Sequence, residues 1–143
     1  MADWPIFRGQ PPEALAALES VMESRQIKAG KRVFKAGAAD SELYFVRRGT
    51  VKITVPIRKK ESYHLATAGR GGIIGNMGFV DTGGHIADAV ALTDAEVFVL
   101  TRERFDEVAA HQPAICLAIL RTVGRSLSTR LRVTIEELQA LRG

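Results

Sequence analysis

The 143-residue chain has a single cysteine, Cys116, so no disulfide can close within it and no metal site can draw on several thiolates. One lone thiol fits a reducing compartment. No apolar run reaches the roughly 18–20 residues that a membrane span requires. Met1 to Phe7 contains no basic stretch followed by an apolar one, so no secretory leader is visible and a cytoplasmic location is expected. Catalytic signatures are also missing. None of the six serines sits in a G-x-S-x-G elbow, and His64, His85 and His111 form no H-x-x-x-H pair. Excess charge of one sign is small: 20 basic against 16 acidic residues leave +4. That permits an anionic ligand or an acidic partner but does not by itself indicate nucleic acid.

What is present is the composition of one folded domain, 46% hydrophobic and 25% charged. Pro11-Pro12-Glu13 can open a helix, and Leu15, Leu18, Val21 and Met22 give it one apolar face, predicting a helix over about 11–24. From about Arg32 to Thr101 the chain breaks into short runs rich in β-branched and aromatic residues, separated by glycines. Val51, Ile53 and Val55 alternate with Lys52 and Thr54, the period of a half-buried strand. Such a series predicts a barrel, roll or sandwich. Residues 102–142 return to helical periodicity, with Thr101 as an N-cap and Pro113 at the start of a final long helix. Cys116 falls on the apolar side of that helix, as a packed and inert thiol.

On the long helix, Leu120, Leu127, Thr134 and Leu141 share one heptad position, and Gly124, Leu131 and Leu138 share another. The stripe either packs wholly on the β-domain or meets the same helix of a second subunit. The mixed charges of Arg130, Arg132, Glu136 and Glu137 beside it favour the second. The densest glycine tract, Gly69 to Val90, contains Gly75-Asn76-Met77-Gly78-Phe79, which could form a helical turn whose first N–H groups face an anion. A ligand-free loop between strands is the competing reading. The basic residues Arg47, Arg48, Lys52, Arg58, Lys59 and Lys60 form either a solvated face or a contact for anionic headgroups or an acidic partner, so membrane contact would be peripheral.

Three blocks carry a resemblance. Val33-Phe34-Lys35-Ala36-Gly37, then Asp40, then Leu43 to Ile53 resembles the first half of cyclic-nucleotide-binding domains. Ile74 to Phe79 resembles their phosphate-binding cassette, and Ala87 to Leu92, Val97 to Leu100 and Arg102 to Phe105 continue the match. The resemblance implies a mainly β fold with flanking helices: a β-roll of the double-stranded β-helix or jelly-roll type, with an N-terminal helix and a long C-terminal helix, all in one domain over 1–143. Trp4-Pro5-Ile6-Phe7 is similar to the short element that opens that domain and is expected to pack on the roll.

The resemblance also implies the site: Gly75, Asn76, Met77, Gly78, His85, Ile86 and Ala87, with Thr134 on the long helix near the base of a bound nucleotide. Asn76 stands where the family places a glutamate for the ribose 2′-hydroxyl, and His85 stands where it places an arginine for the cyclic phosphate. Asparagine brings no charge, and a neutral imidazole brings one N–H and no fork. Thr134 reads equally well as a tolerated polar residue in a helical seam.

The expected function is that of a non-enzymatic regulatory module. Its candidate ligand is a cyclic nucleotide (cAMP or cGMP) or another small anion, bound weakly or in altered form. The expected partners are a second copy of the chain, through Leu120, Leu127, Leu131 and Leu138, and a parent or partner protein. The competing reading is an interaction domain that binds no nucleotide. Similar domains end sulfate-permease-type transporters and some bacterial glutaminases, and the cassette and last helix look close to that group, so the cytoplasmic face of a membrane protein is the alternative location; no DNA-binding domain is expected in this chain.

Overall fold

The computed structural model describes residues 1–142. A one-turn 3-10 helix at Pro5–Phe7 leads into α1 (Pro12–Val21). There follow β1 (Glu23–Ile27), β2 (Arg32–Phe34), β3 (Leu43–Arg48), β4 (Val51–Arg58), β5 (Glu61–Ala68) and β6 (Ile73–Ile74), then α2 (Asn76–Asp81), β7 (Asp88–Ala91) and β8 (Ala95–Leu100). The last described elements are α3 (Arg102–His111) and α4 (Pro113–Arg142). The strands form two antiparallel four-stranded sheets, ordered β1-β8-β3-β6 and β2-β7-β4-β5. Together with the flanking helices they make the expected β-roll.

The alternation of side chains along a strand explains the two cores. On β3, Tyr44 and Val46 enter the space between the sheets, beside Val51, Ala89, Val97 and Val99. Leu43 and Phe45 point the other way, into a second core made by Trp4, Phe7, Leu18, Phe105, Ile115 and Ile119. A strand covered on both faces reads as a continuous apolar run, which is how Leu43 to Val46 stands in the sequence. The Trp4–Phe7 segment packs as expected, with Trp4 and Phe7 buried in the helical core. Thr101 caps α3, its hydroxyl accepting from the Arg104 N–H at 3.2 Å.

The N-terminal helix is shorter than its predicted span over 11–24. It stops at Val21, because Met22 takes an extended ψ of 141°. Glu23–Ile27 is a strand, so the roll begins before Arg32. β1 runs antiparallel on β8, from Glu23 opposite Val99 to Ile27 opposite Ala95. It lies at the edge of its sheet and most of its side chains face solvent, so its composition carries no apolar alternation.

Candidate functional site

The cassette is built around a tight turn. Gly75 is the N-cap of α2 with φ of 86°, and a Cβ there would stand 2.7 Å from the Glu42 carbonyl oxygen. Only glycine meets both demands. Gly78 is buried, and a Cβ on it would come within 2.8 Å of the Gly84 carbonyl oxygen, so the return of the chain toward His85 also needs a missing side chain. Met77 on α2 is exposed.

His85 is turned into the protein. Its side chain is 2% exposed, and Nε2 lies 2.6 Å from Asp40 Oδ1. Its ring stacks on Phe34 with centroids 3.9 Å apart and 16° between planes. Its backbone is pinned too: its N–H donates to the Ala38 carbonyl and its carbonyl accepts from the Gly37 N–H. Asp40 and Glu42 each lie 3.1 Å from the Tyr44 hydroxyl. Burial, and then the two carboxylates, push the Tyr44 hydroxyl well above its ordinary pKa, so it remains a proton donor. Asp40, Tyr44 and Phe34 thus form the immediate surroundings of His85. The sequence marked all three as family-like without placing them in the site; Asp40, four residues before Tyr44, was the one signal.

The other predicted residues divide. Ala87 is buried in the roll, whereas Ile86 is 56% exposed. Asn76 opens α2, and its Oδ1 is buried with no hydrogen-bond partner among the described residues. A buried acceptor without a donor is unusual in a folded protein. Thr134 is exposed, and its hydroxyl donates to the Arg130 carbonyl of its own helix at 2.9 Å.

The cassette reaches α3 and α4 through Phe79, which is fully buried. Its ring meets that of Phe105 edge-on at 5.2 Å, and Arg102 both donates to its carbonyl oxygen and lies over its ring. Ile115, Ile119 and Val123 of α4 pack into the same core. Beyond them α4 continues along β5: Arg130 donates to the Leu65 carbonyl, and the Tyr63 hydroxyl donates to Glu137 at 2.7 Å. Thr134 falls between Arg130 and Glu137 on that face by helical spacing. Cys116 is buried under α3, and burial pushes its thiol up to about 11, which removes it as a nucleophile at neutral pH.

The predicted stripe on α4 is open to solvent over most of its length. Leu120, Leu131, Leu138 and Leu141 are exposed, and Leu127 is partly buried against the helical core. Leu117, not singled out in the sequence, extends the same heptad series and is 47% exposed. At 3.6 residues per turn the stripe lies about a quarter turn from the face that carries Ile115, Ile119 and Val123.

A family model described as the cyclic nucleotide-binding domain matches residues 24–112, from β1 through α3. The cyclic AMP receptor protein of Thermus thermophilus is 30% identical over 137 residues, covering 96% of this chain and 62% of that protein. The crystal structure of the Thermus thermophilus catabolite activator protein aligns with a TM-score of 0.82 at 30% identity, over 96% of this chain and 63% of the other. Glutaminase 1 of Bradyrhizobium diazoefficiens is 26% identical over 141 residues, which is 99% of this chain and 22% of that enzyme. The chain therefore spans less than two thirds of the length of each of these relatives.

Proposed function

This chain belongs to the cyclic nucleotide-binding domain family, and from that premise we propose that it is a regulatory module with altered ligand chemistry, which passes the state of its cassette to α4 and to a second copy of itself. The observation that carries the reading is the placement of His85. In the family this position supplies an arginine to the cyclic phosphate. Here the imidazole is committed to Asp40 and Phe34 and is closed to solvent. Loss of one charged hydrogen bond, worth about 1.5–3 kcal/mol, weakens binding roughly ten- to hundredfold. The unpartnered Oδ1 of Asn76 supports a retained contact with a hydroxyl-bearing ligand, without the charge of a glutamate.

The route to α4 is Phe79, held by Arg102 and Phe105 in the core shared with Ile115 and Ile119. A ligand that shifts α2 moves a packed aromatic ring, and differential affinity for the two positions is the whole driving force. The open leucine stripe supports a homodimer. So does Gly124: a glycine inside a helix costs about 1 kcal/mol against alanine, and among the described residues nothing beyond the adjoining backbone of α4 lies within 4 Å of a Cβ there. Close approach of a second helix accounts for that choice.

The test is calorimetry with cAMP and cGMP on the wild-type chain and on an Asn76→Glu, His85→Arg double variant, with circular dichroism as the check on folding. We expect weak or undetectable binding in the wild type and at least tenfold tighter binding in the variant. Micromolar or tighter binding by the wild type overturns the altered-cassette reading. Failure of both folded proteins to bind favours the second reading, an interaction domain acting through the α4 stripe alone.

A further inference from the structure

Alternation along β3 should send Arg47 and Arg48 to opposite faces. A bulge prevents this. Val46 pairs with Val97 and Arg48 with Glu96, leaving Arg47 as the extra residue. Both guanidinium groups consequently reach one carboxylate oxygen, Glu96 Oε1, Arg47 at 2.7 Å and Arg48 at 2.9 Å. The other oxygen, Oε2, accepts from the Ser24 hydroxyl at 2.7 Å. Nearby, Arg70 meets Asp3 at 2.9 Å. Three guanidinium groups face two carboxylates, and the arginine side chains remain 47%, 67% and 58% exposed.

These three arginines, with Met1 and Trp4, line a cavity of about 230 Å³. Trp4 is 2% exposed, Gly71 lies against its ring, and its indole N–H is buried with no acceptor among the described residues. We propose that this cavity binds a small phosphoryl-bearing anion, held by the guanidinium N–H groups of Arg48 and Arg70 that remain open to solvent, with Arg47 beside them. Its volume is below the roughly 300–1,000 Å³ typical of pockets for drug-sized ligands, so the occupant is a phosphate or a small phosphomonoester. The site is distinct from the cassette. Asp40, Glu42 and Tyr44 lie at the start of β3, and Arg47 and Arg48 lie at its end, on a strand about 17 Å long.

Trp4 is the only tryptophan of the chain, so its fluorescence reports on this cavity directly. The experiment titrates the full chain with inorganic phosphate at constant ionic strength, with sodium chloride as the matched control, and repeats the titration by calorimetry. The expected result is a saturable response to phosphate that weakens roughly ten- to hundredfold in Arg48→Gln and in Arg70→Gln. A Lys59→Gln, Lys60→Gln variant, which removes two charges outside the cavity, should bind like the wild type. A parallel arm uses phosphatidylcholine vesicles with and without phosphatidic acid. A response that chloride reproduces, or one that survives both arginine substitutions, shows an adventitious ion only and overturns the proposal. Binding to phosphatidic acid vesicles with no response to inorganic phosphate also overturns it, in favour of a lipid surface.

Discussion

Replacing Glu96 by glutamine tests how the edge strand β1 and the arginine pair are tied to the sheet. Glu96 is 7% exposed and accepts from Ser24, Arg47 and Arg48. The Ser24 hydroxyl and then the two guanidinium groups lower its pKa from 4.5 to about 2, against the opposing effect of burial. At about 1.4 kcal/mol per tenfold change in proton affinity, that difference sets an upper limit near 3 kcal/mol on its contribution to stability. The Arg47 side chain is about half exposed and that of Arg48 about two thirds, and screening there reduces the figure to about 1–2 kcal/mol. Because the folded-state pKa lies below the unfolded one, the contribution is complete above about pH 4.5 and is lost as pH falls toward 2. Glu96→Gln keeps the size of the side chain and removes its charge. Urea unfolding at fixed protomer concentration should show a loss of about 1–2 kcal/mol at pH 7, narrowing to roughly half or less at pH 3. A gap of the same size at both pH values would place the loss in packing. No gap at pH 7 would refute the electrostatic reasoning outright.

Three further outcomes follow from the geometry. Leu131→Asp puts a charge in the middle of the α4 stripe, and on the proposed dimer light scattering is expected to read a dimer for the wild type and a monomer for the variant, with helical content unchanged. Gly75→Ala meets both the positive φ and the Glu42 carbonyl at 2.7 Å, so thermal unfolding should show a loss of about 2 kcal/mol or more, with a change in the His85 ring signals by NMR. Thr101→Ala removes the N-cap of α3 and should cost about 1 kcal/mol in urea unfolding, without affecting oligomeric state.

The family and the fold class were legible because their signals are local. Glycines recur where the chain turns, and the Val51–Val55 alternation and the doubly covered Leu43–Val46 run each report their own burial. The heptad spacing on α4 was legible for the same reason, since 3.6 residues per turn places the leucines on one side whatever surrounds them. Its two readings were separated only in part by the fold. The roll takes Ile115, Ile119 and Val123, leaving Leu117, Leu120, Leu131 and Leu138 in solvent. β1 was not legible, because an edge strand with exposed side chains is defined by hydrogen bonds to β8, a partner about seventy residues away.

The sequence by itself determined that a histidine stands at 85 and an asparagine at 76, where the resemblance leads to the expectation of an arginine and a glutamate, since residue type is a property of position in the chain. Only the tertiary structure decided that the imidazole faces inward, because the contacts that hold it come from Phe34 and Asp40, which loop closure brings against the cassette from some fifty residues away. The same holds for the cavity beside Trp4. Its arginines stand at 47, 48 and 70, and no spacing rule joins them to residue 4. A bulge in β3 and the fold of the N-terminal segment bring them together.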